Sequence, residues 1–373
     1  MKKYLMIGIT LFLTSCVCIS GPSFIQRWNQ PINDPLALNT PTDDDVLGTF
    51  TQSEPVEDTT ITPDHLRATD TILPPTPEPV CGGPPIMYIL GVGVDTRDPL
   101  YLYGLADVIR IARVDFVTPK VTVLTIPRDL WVEFPDIIDK YADTVTHGKL
   151  NQAYLYGGSG MGYYDGPGGG PGLLARTIAQ NYGLYVDHYA AINMLAFENM
   201  INALGGIDIY LDQDWDGRPV DDHTVDLGYF TAGQHHMGGE EALRFARIRK
   251  KYSEITRTDN QTLVMCAIKE KVLRPSVVGS IPSLISSVIG TVQTDLTPAQ
   301  ISQLVCLLPK LSNENLYFVR FPDEWLVQGR EYDPNLGDTT FVWKISPDSI
   351  RQFMIDFSND AIPADTSSGM SCP

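Results

Sequence analysis

Arg244, Arg247, Arg249 and Arg257 fall within fourteen positions of a chain whose formal net charge is −18. In so acidic a protein a knot of guanidinium groups calls for an anionic partner, since arginine stays charged and forks onto carboxylate or phosphate oxygens. Gly239–Phe245 reads as a helix that ends there, so Arg247 and Arg249, two apart, share one side of an extended segment. Arg257 and Gln261, four apart, share one face at the start of the next helix, read as Thr258–Leu273. Arginines and an amide converging on one spot make a receptor for phosphate oxygens. A solvated basic helix face is the plainer alternative, and for Gln261 so is a capping box with Thr258.

A second constellation is acidic. The apolar run Ile86–Val92 reads as a buried strand that delivers Asp95 and Arg97 to its end. Asp107 opens the following strand, and a third ends at Pro127-Arg128-Asp129. If the first two strands form a hairpin, Asp95 and Asp107 meet at its open end. Two carboxylates there suit a hard cation such as Mg²⁺, which takes one or two carboxylates plus substrate phosphates. Turn capping by aspartate is the alternative.

The elements that must position these residues alternate between strand and helix. Leu174, Ile178 and Tyr182 stripe a helix that Gly183 stops; Asp187–Ile192 reads as a strand. Phe197, Met200, Ile201 and Leu204 form another helix, and Ile207–Leu211 a further strand. Helices Ile301–Leu308 and Pro347–Phe357 and a strand Leu316–Phe321 follow, which together indicate an α/β domain. The glycine-rich stretch through residues 158–172 lacks a phosphate-loop pattern and reads as a mobile loop.

Other motifs carry less. Asp212, Asp214, Asp216 and Gly217 open like a calcium loop, but His223 stands where a bidentate Glu is required. His235 and His236 lack a third ligand at metal spacing, His147 and His188 are isolated, and no G-x-S-x-G occurs.

The N-terminus carries Lys2 and Lys3, an apolar run Leu5–Leu13, then Leu13-Thr14-Ser15-Cys16. This is an export pattern, with Cys16 in the place of a lipidated cysteine and residues 1–16 as a lipoprotein-type signal peptide. An ordinary signal peptide is the alternative; the apolar stretch falls short of the ~20 residues a spanning helix needs. The body then works outside the membrane, where disulfides persist among Cys81, Cys266, Cys306 and Cys372. Four cysteines allow three pairings; Cys266 with Cys306 and Cys81 with Cys372 is the expectation, the latter clipping the ends of the body together. Residues 17–85 read as a disordered spacer, with ten prolines and a net charge of −8 over residues 21–80. A body over residues 86–360 and a loose tail over 361–373 complete the chain. The acidic balance argues against nucleic acid as a partner.

In chain order, GVDTR (Gly93–Arg97), Ala106-Asp107, TIPRD (Thr125–Asp129), KLNQAYLYGG (Lys149–Gly158), VDHYAAINM (Val186–Met194), ALGGIDIYL (Ala203–Leu211) and the arginine segment resemble the LytR-CpsA-Psr family of bacterial cell-wall glycopolymer transferases. The resemblance spans roughly residues 86 to 272. It implies an α/β/α sandwich around a central mixed sheet, with an apolar pocket for a polyprenyl chain. It implies Asp95 and Asp107 as ligands of Mg²⁺, or of Mn²⁺, and Arg97, Arg128, Arg247, Arg249, Arg257 and Gln261 as pyrophosphate contacts. Catalysis would fall to Asp95, Asp107, Arg128, Arg247 and Arg249. The implied reaction moves a glycopolymer phosphate from undecaprenyl pyrophosphate to a peptidoglycan hydroxyl, at the outer face of the cell membrane. A non-catalytic prenyl-pyrophosphate or wall-polymer binder, acting as regulator or scaffold, and a simple lipid pyrophosphatase are the alternatives. Three departures stand out: Leu105 occupies a usual arginine position, Asn260-Gln261-Thr262 replaces Arg-Gln-Gln, and an apparent lipobox replaces the usual membrane helix.

Overall fold

The computed structural model describes residues 28–38, 77–138, 144–249, 251, 254–274, 277, 290–334, 336–362 and 372. Cys16 and the signal peptide lie outside them, as does most of the expected spacer and tail. Among the described residues no helix is long and apolar enough to cross a membrane.

The strands are β1 (Ile86–Val94), β2 (Ala106–Asp115), β3 (Lys120–Thr125), β4 (Trp131–Glu133) and β5 (His147–Lys149), after which helices α1 (Leu150–Gly157) and α2 (Gly169–Tyr182) lead to β6 (His188–Asn193). Helix α3 (Met194–Ala203), strands β7 (Ile207–Leu211), β8 (Trp215–Asp216), β9 (Tyr229–Phe230) and β10 (Gly233–Met237), and helices α4 (Gly239–Ala246) and α5 (Glu254–Val272) follow. The chain continues through β11 (Val292–Thr294), α6 (Pro298–Leu307), β12 (Leu316–Arg320), the hairpin β13 (Val327–Asp333) and β14 (Asp338–Lys344), and α7 (Pro347–Ser358).

The central sheet has the order β11-β6-β1-β2-β3-β12 and is mixed, with β1–β6 and β3–β12 parallel and the other pairs antiparallel. Alternation along its strands sends side chains to two layers. Leu90, Val92, Val94, Ile109 and Ile111 face one layer and pack with Leu150, Leu174, Ile178 and Phe353 of α1, α2 and α7. The opposite face carries Ile89, Gly91, Gly93, Val108 and Ala112, under α3, α4 and α5. The result is the α/β/α sandwich expected from the sequence.

Several local expectations are corrected. The disulfides are Cys81–Cys306 and Cys266–Cys372, not Cys266–Cys306 and Cys81–Cys372. Cys306 sits on α6, whose Leu304 and Leu307 share an apolar cluster with Val80, Cys81, Met87 and Phe116 at the start of the body; Cys266 on α5 faces Val123 and Phe318, where residue 372 arrives. Part of the expected spacer is docked: Leu36 is 1% exposed within the main core, and Asn33 exchanges backbone and side-chain hydrogen bonds with Thr294. The glycine-rich loop is tied down, Gly160 N–H donating to Leu102 O and Arg176 Nε to the Tyr164 hydroxyl. Helix α5 starts at Glu254, so Thr258 lies inside the helix and does not cap it.

Candidate active site

A cavity of about 470 Å³ lies between the sheet and the helices α3, α4 and α5. Its walls are apolar, from Ile89, Ile192, Phe197, Met200, Leu243, Val264 and Ile268. Its floor is low because Gly91 and Gly93 carry no side chain; a Cβ on Gly93 would stand 2.9 Å from the Val108 side chain. The mouth is polar, formed by Asp95, Asp107, Asn193, Arg247, Arg257 and Gln261.

Asp95 continues the cavity-facing alternation of β1, whose odd-numbered residues line it. Its amide donates to Leu105 O at 3.1 Å, and Leu105 N–H returns a bond to Asp95 Oδ1 at 2.6 Å. Asp107 arrives differently. Gly93 pairs with Val108 and Val94 with Ala106, leaving Asp107 as the extra residue of a β-bulge. Strict alternation would turn Asp107 with Ile109 into the opposite core; the bulge re-aims it at the mouth. Poor solvation in the cleft raises the Asp95 carboxyl above the ordinary aspartate range, and the Asp107 charge adds to this against the Leu105 N–H, Arg128 and Arg247.

The cations converge unevenly. Arg128 Nη1 is paired with Asp107 Oδ1, and its Nε donates to Asp129 at 3.2 Å, which Lys149 holds from the other side at 3.0 Å. Arg257 is buried, donates Nη2 to the Asp107 carbonyl at 3.1 Å and keeps Nη1 at 3.8 Å from Asp107 Oδ2. Arg247, just past α4, lines the mouth, and Gln261 Nε2 reaches Ala246 O at 3.4 Å. Two expected contacts are not brought there. Arg97 points to Glu198 of α3 in a two-pronged pair at 2.6 and 2.9 Å, and Arg249 does not line the cavity.

Sequence reading missed Arg110. It faces the cavity two positions beyond Val108, is 4% exposed, and donates to Thr262 Oγ1 and Thr258 O of α5. Burial lowers its pKa to about 10, with Asp259 acting against the shift. An arginine on the cavity-facing alternation of an apolar strand was the available signal. The calcium-like loop is spent internally: Asp214 accepts from Tyr229 and Ala232, and Asp216 from Arg218 and Lys251.

The model of the LytR_cpsA_psr family matches residues 85–353. The chain belongs to that family. Among curated members, the polyisoprenyl-teichoic acid–peptidoglycan teichoic acid transferase TagU of Oceanobacillus iheyensis is 30% identical over 220 residues, 58% of this chain and 61% of that protein. The match thus spans about three-fifths of the relative's length. Among solved members, TagV of Bacillus subtilis superposes with a TM-score of 0.55 at 22% identity, over 74% of this chain and 98% of that one. TagT bound to LIIa-WTA gives 0.54 at 20% identity, over 74% and 91%. These neighbours share the fold of the family domain.

Proposed function

We propose that this family member transfers a glycopolymer phosphate from a polyprenyl pyrophosphate carrier to a hydroxyl of peptidoglycan. The observation that carries this reading is an apolar cavity of about 470 Å³ whose polar mouth holds two carboxylates among arginines. The cavity suits a prenyl chain, and its mouth suits the diphosphate at that chain's end.

Two hard oxygen donors whose mutual repulsion helps raise the Asp95 pKa fit a divalent cation, which relieves that repulsion. Mg²⁺, or Mn²⁺ in its place, would be held by Asp95 and Asp107 and would supply charge neutralisation at the diphosphate. The chain's own residues do the rest. Arg128, Arg247 and Arg257 hold the phosphoryl oxygens and stabilise charge as it develops. Gln261 orients one oxygen by donating from its amide. The acceptor oxygen forms a bond to the phosphorus bearing the glycopolymer, and the bond from that phosphorus to the bridging oxygen breaks. Prenyl phosphate leaves, and the hydroxyl proton passes to a carboxylate, Asp95 or Asp107. Cys16, once lipidated, would tether the body to the outer face of the membrane where such carriers lie.

The test incubates the full chain with a prenyl-pyrophosphate-linked glycan and peptidoglycan, with Mg²⁺ or with chelator. Polymer should become covalently attached only with metal, and Arg247→Ala should abolish release while melting as the parent does. Unchanged turnover in Arg247→Ala would overturn the assignment. Binding of donor without turnover in either condition would favour a non-catalytic binder.

A further inference from the structure

A second, smaller pocket of about 50 Å³ shares Asp107, Arg257 and Gln261 with the cavity, and its further lining includes Arg128, Arg320, Asp323 and Trp343 beside apolar residues such as Ile126 and Phe321. Trp343 belongs to the β13–β14 hairpin, and its backbone N–H donates to Asp129 O at 2.9 Å, so the hairpin is fixed to the turn that carries Arg128. One face of the hairpin is turned inward, where Val342 and Asp333 are 0% and 1% exposed. The register puts Gln328 opposite Trp343, Arg330 opposite Phe341 and Tyr332 opposite Thr339, all on the other face. There Tyr332 is 59% and Phe341 36% exposed, and the Phe341 and Trp343 rings meet edge to face at 5.0 Å. Arg330 lies along this face, bonded to Thr339 O at 2.7 Å.

We propose that this face is a docking strip for the acceptor glycan strand, leading its reactive hydroxyl into the small pocket beside Asp107. The proposal rests on the transferase reading above. Three arguments select the occupant. The strip alternates aromatic faces with amide, hydroxyl and guanidinium groups, the pairing that binds sugar rings by their C–H surfaces and their hydroxyls at once. Seven-residue strands run for about 20 Å, room for several rings in a row. The strip reaches the small pocket through Trp343, which lines that pocket and not the apolar cavity, so it meets Asp107 on the small pocket's side. In-line displacement puts the attacking oxygen opposite the leaving prenyl phosphate, so that side belongs to the acceptor and not to the donor's chain.

The experiment uses the full chain and the variants Phe341→Ala and Tyr332→Ala, whose side chains are exposed. Soluble, uncrosslinked peptidoglycan glycan strands are titrated first alone and then as acceptor at saturating donor. Both variants should weaken strand binding and raise the acceptor KM about five- to tenfold, with kcat unchanged. An unchanged acceptor KM alongside normal transfer removes the strip and leaves the transferase reading standing. Strand binding that the variants weaken, in a protein that turns over no donor, sustains the strip and removes the transferase reading. Tighter binding of free donor glycan than of acceptor strand overturns the choice of occupant.

Discussion

Asp107 reaches the mouth because β2 carries one residue more than β1 at that point, and Gly93 is what lets the two strands close over the irregularity. A Cβ at Gly93 would press on Val108, the neighbour of Asp107, whereas one at Gly91 meets only Arg110 O at 3.6 Å. Gly93→Val should therefore destabilise by about 1–3 kcal/mol and cut polymer release, and Gly91→Ala should do neither to the same degree. Thermal melts set beside turnover check both. Arg110 makes the opposite case. Its bonds to Thr258 and Thr262 are offset by the cost of holding a charge in an apolar wall, and Asp259 keeps Arg320 at 2.8 Å without it. Arg110→Met should shift stability by no more than about 1 kcal/mol in either direction. A larger loss in denaturant titration would mean that Arg110 holds α5 to the sheet.

At the level of elements, what the sequence made legible was whatever burial writes into it. β1, covered by helices on both faces, reads as an apolar run, and the striped helices α2 and α3 read by their period. The bulge at Asp107 was not legible, since one added residue leaves the apolar content of β2 unchanged. The β13–β14 hairpin was also hidden, because its outward face is in solvent and its strands, VQGREYD and DTTFVWK, lack an apolar period. Thr258-x-x-Gln261 imitated a helix start, though the chain had already turned helical at Glu254. Of the arginines, spacing placed Arg247 and Arg257 near one another but gave no means to see that Glu198 holds Arg97. The cavity's depth follows from the strand period: Val108, Arg110 and Ala112 step inward from Asp107 along β2. Ala112→Phe should then obstruct the inner end, raising the KM for long-chain prenyl donors about tenfold or more while sparing short-chain analogues. Equal effects on both chain lengths, measured in the release assay, would place the prenyl chain elsewhere.

Taken whole, the molecule is closed by long-range ties on both sides of its sheet. Cys81–Cys306 and Cys266–Cys372 join positions 225 and 106 residues apart, and each fastens a helix of the cavity side to a chain segment at an end of the body. Replacing Cys81 and Cys306 together with serine should cost about 2–4 kcal/mol in denaturant titrations, and reductant should cost the parent more, since it also opens Cys266–Cys372. On the other face, residues 31–38 are strapped to the core: Leu36 N–H reaches Asp295 at 3.4 Å, Asp34 O accepts from Tyr189, and Leu36 O from Arg176. The strap joins the core layer of α1, α2 and α7, while the cavity opens beneath α3, α4 and α5. A loss there should reach stability before it reaches chemistry. Leu36→Ala, which empties a fully buried site, should destabilise by about 2–5 kcal/mol yet leave the donor KM and kcat at 25 °C near those of the parent. A matched fall in turnover, well below the melting transition, would show that the strap's contact with β6 extends to the cavity wall that this strand also builds.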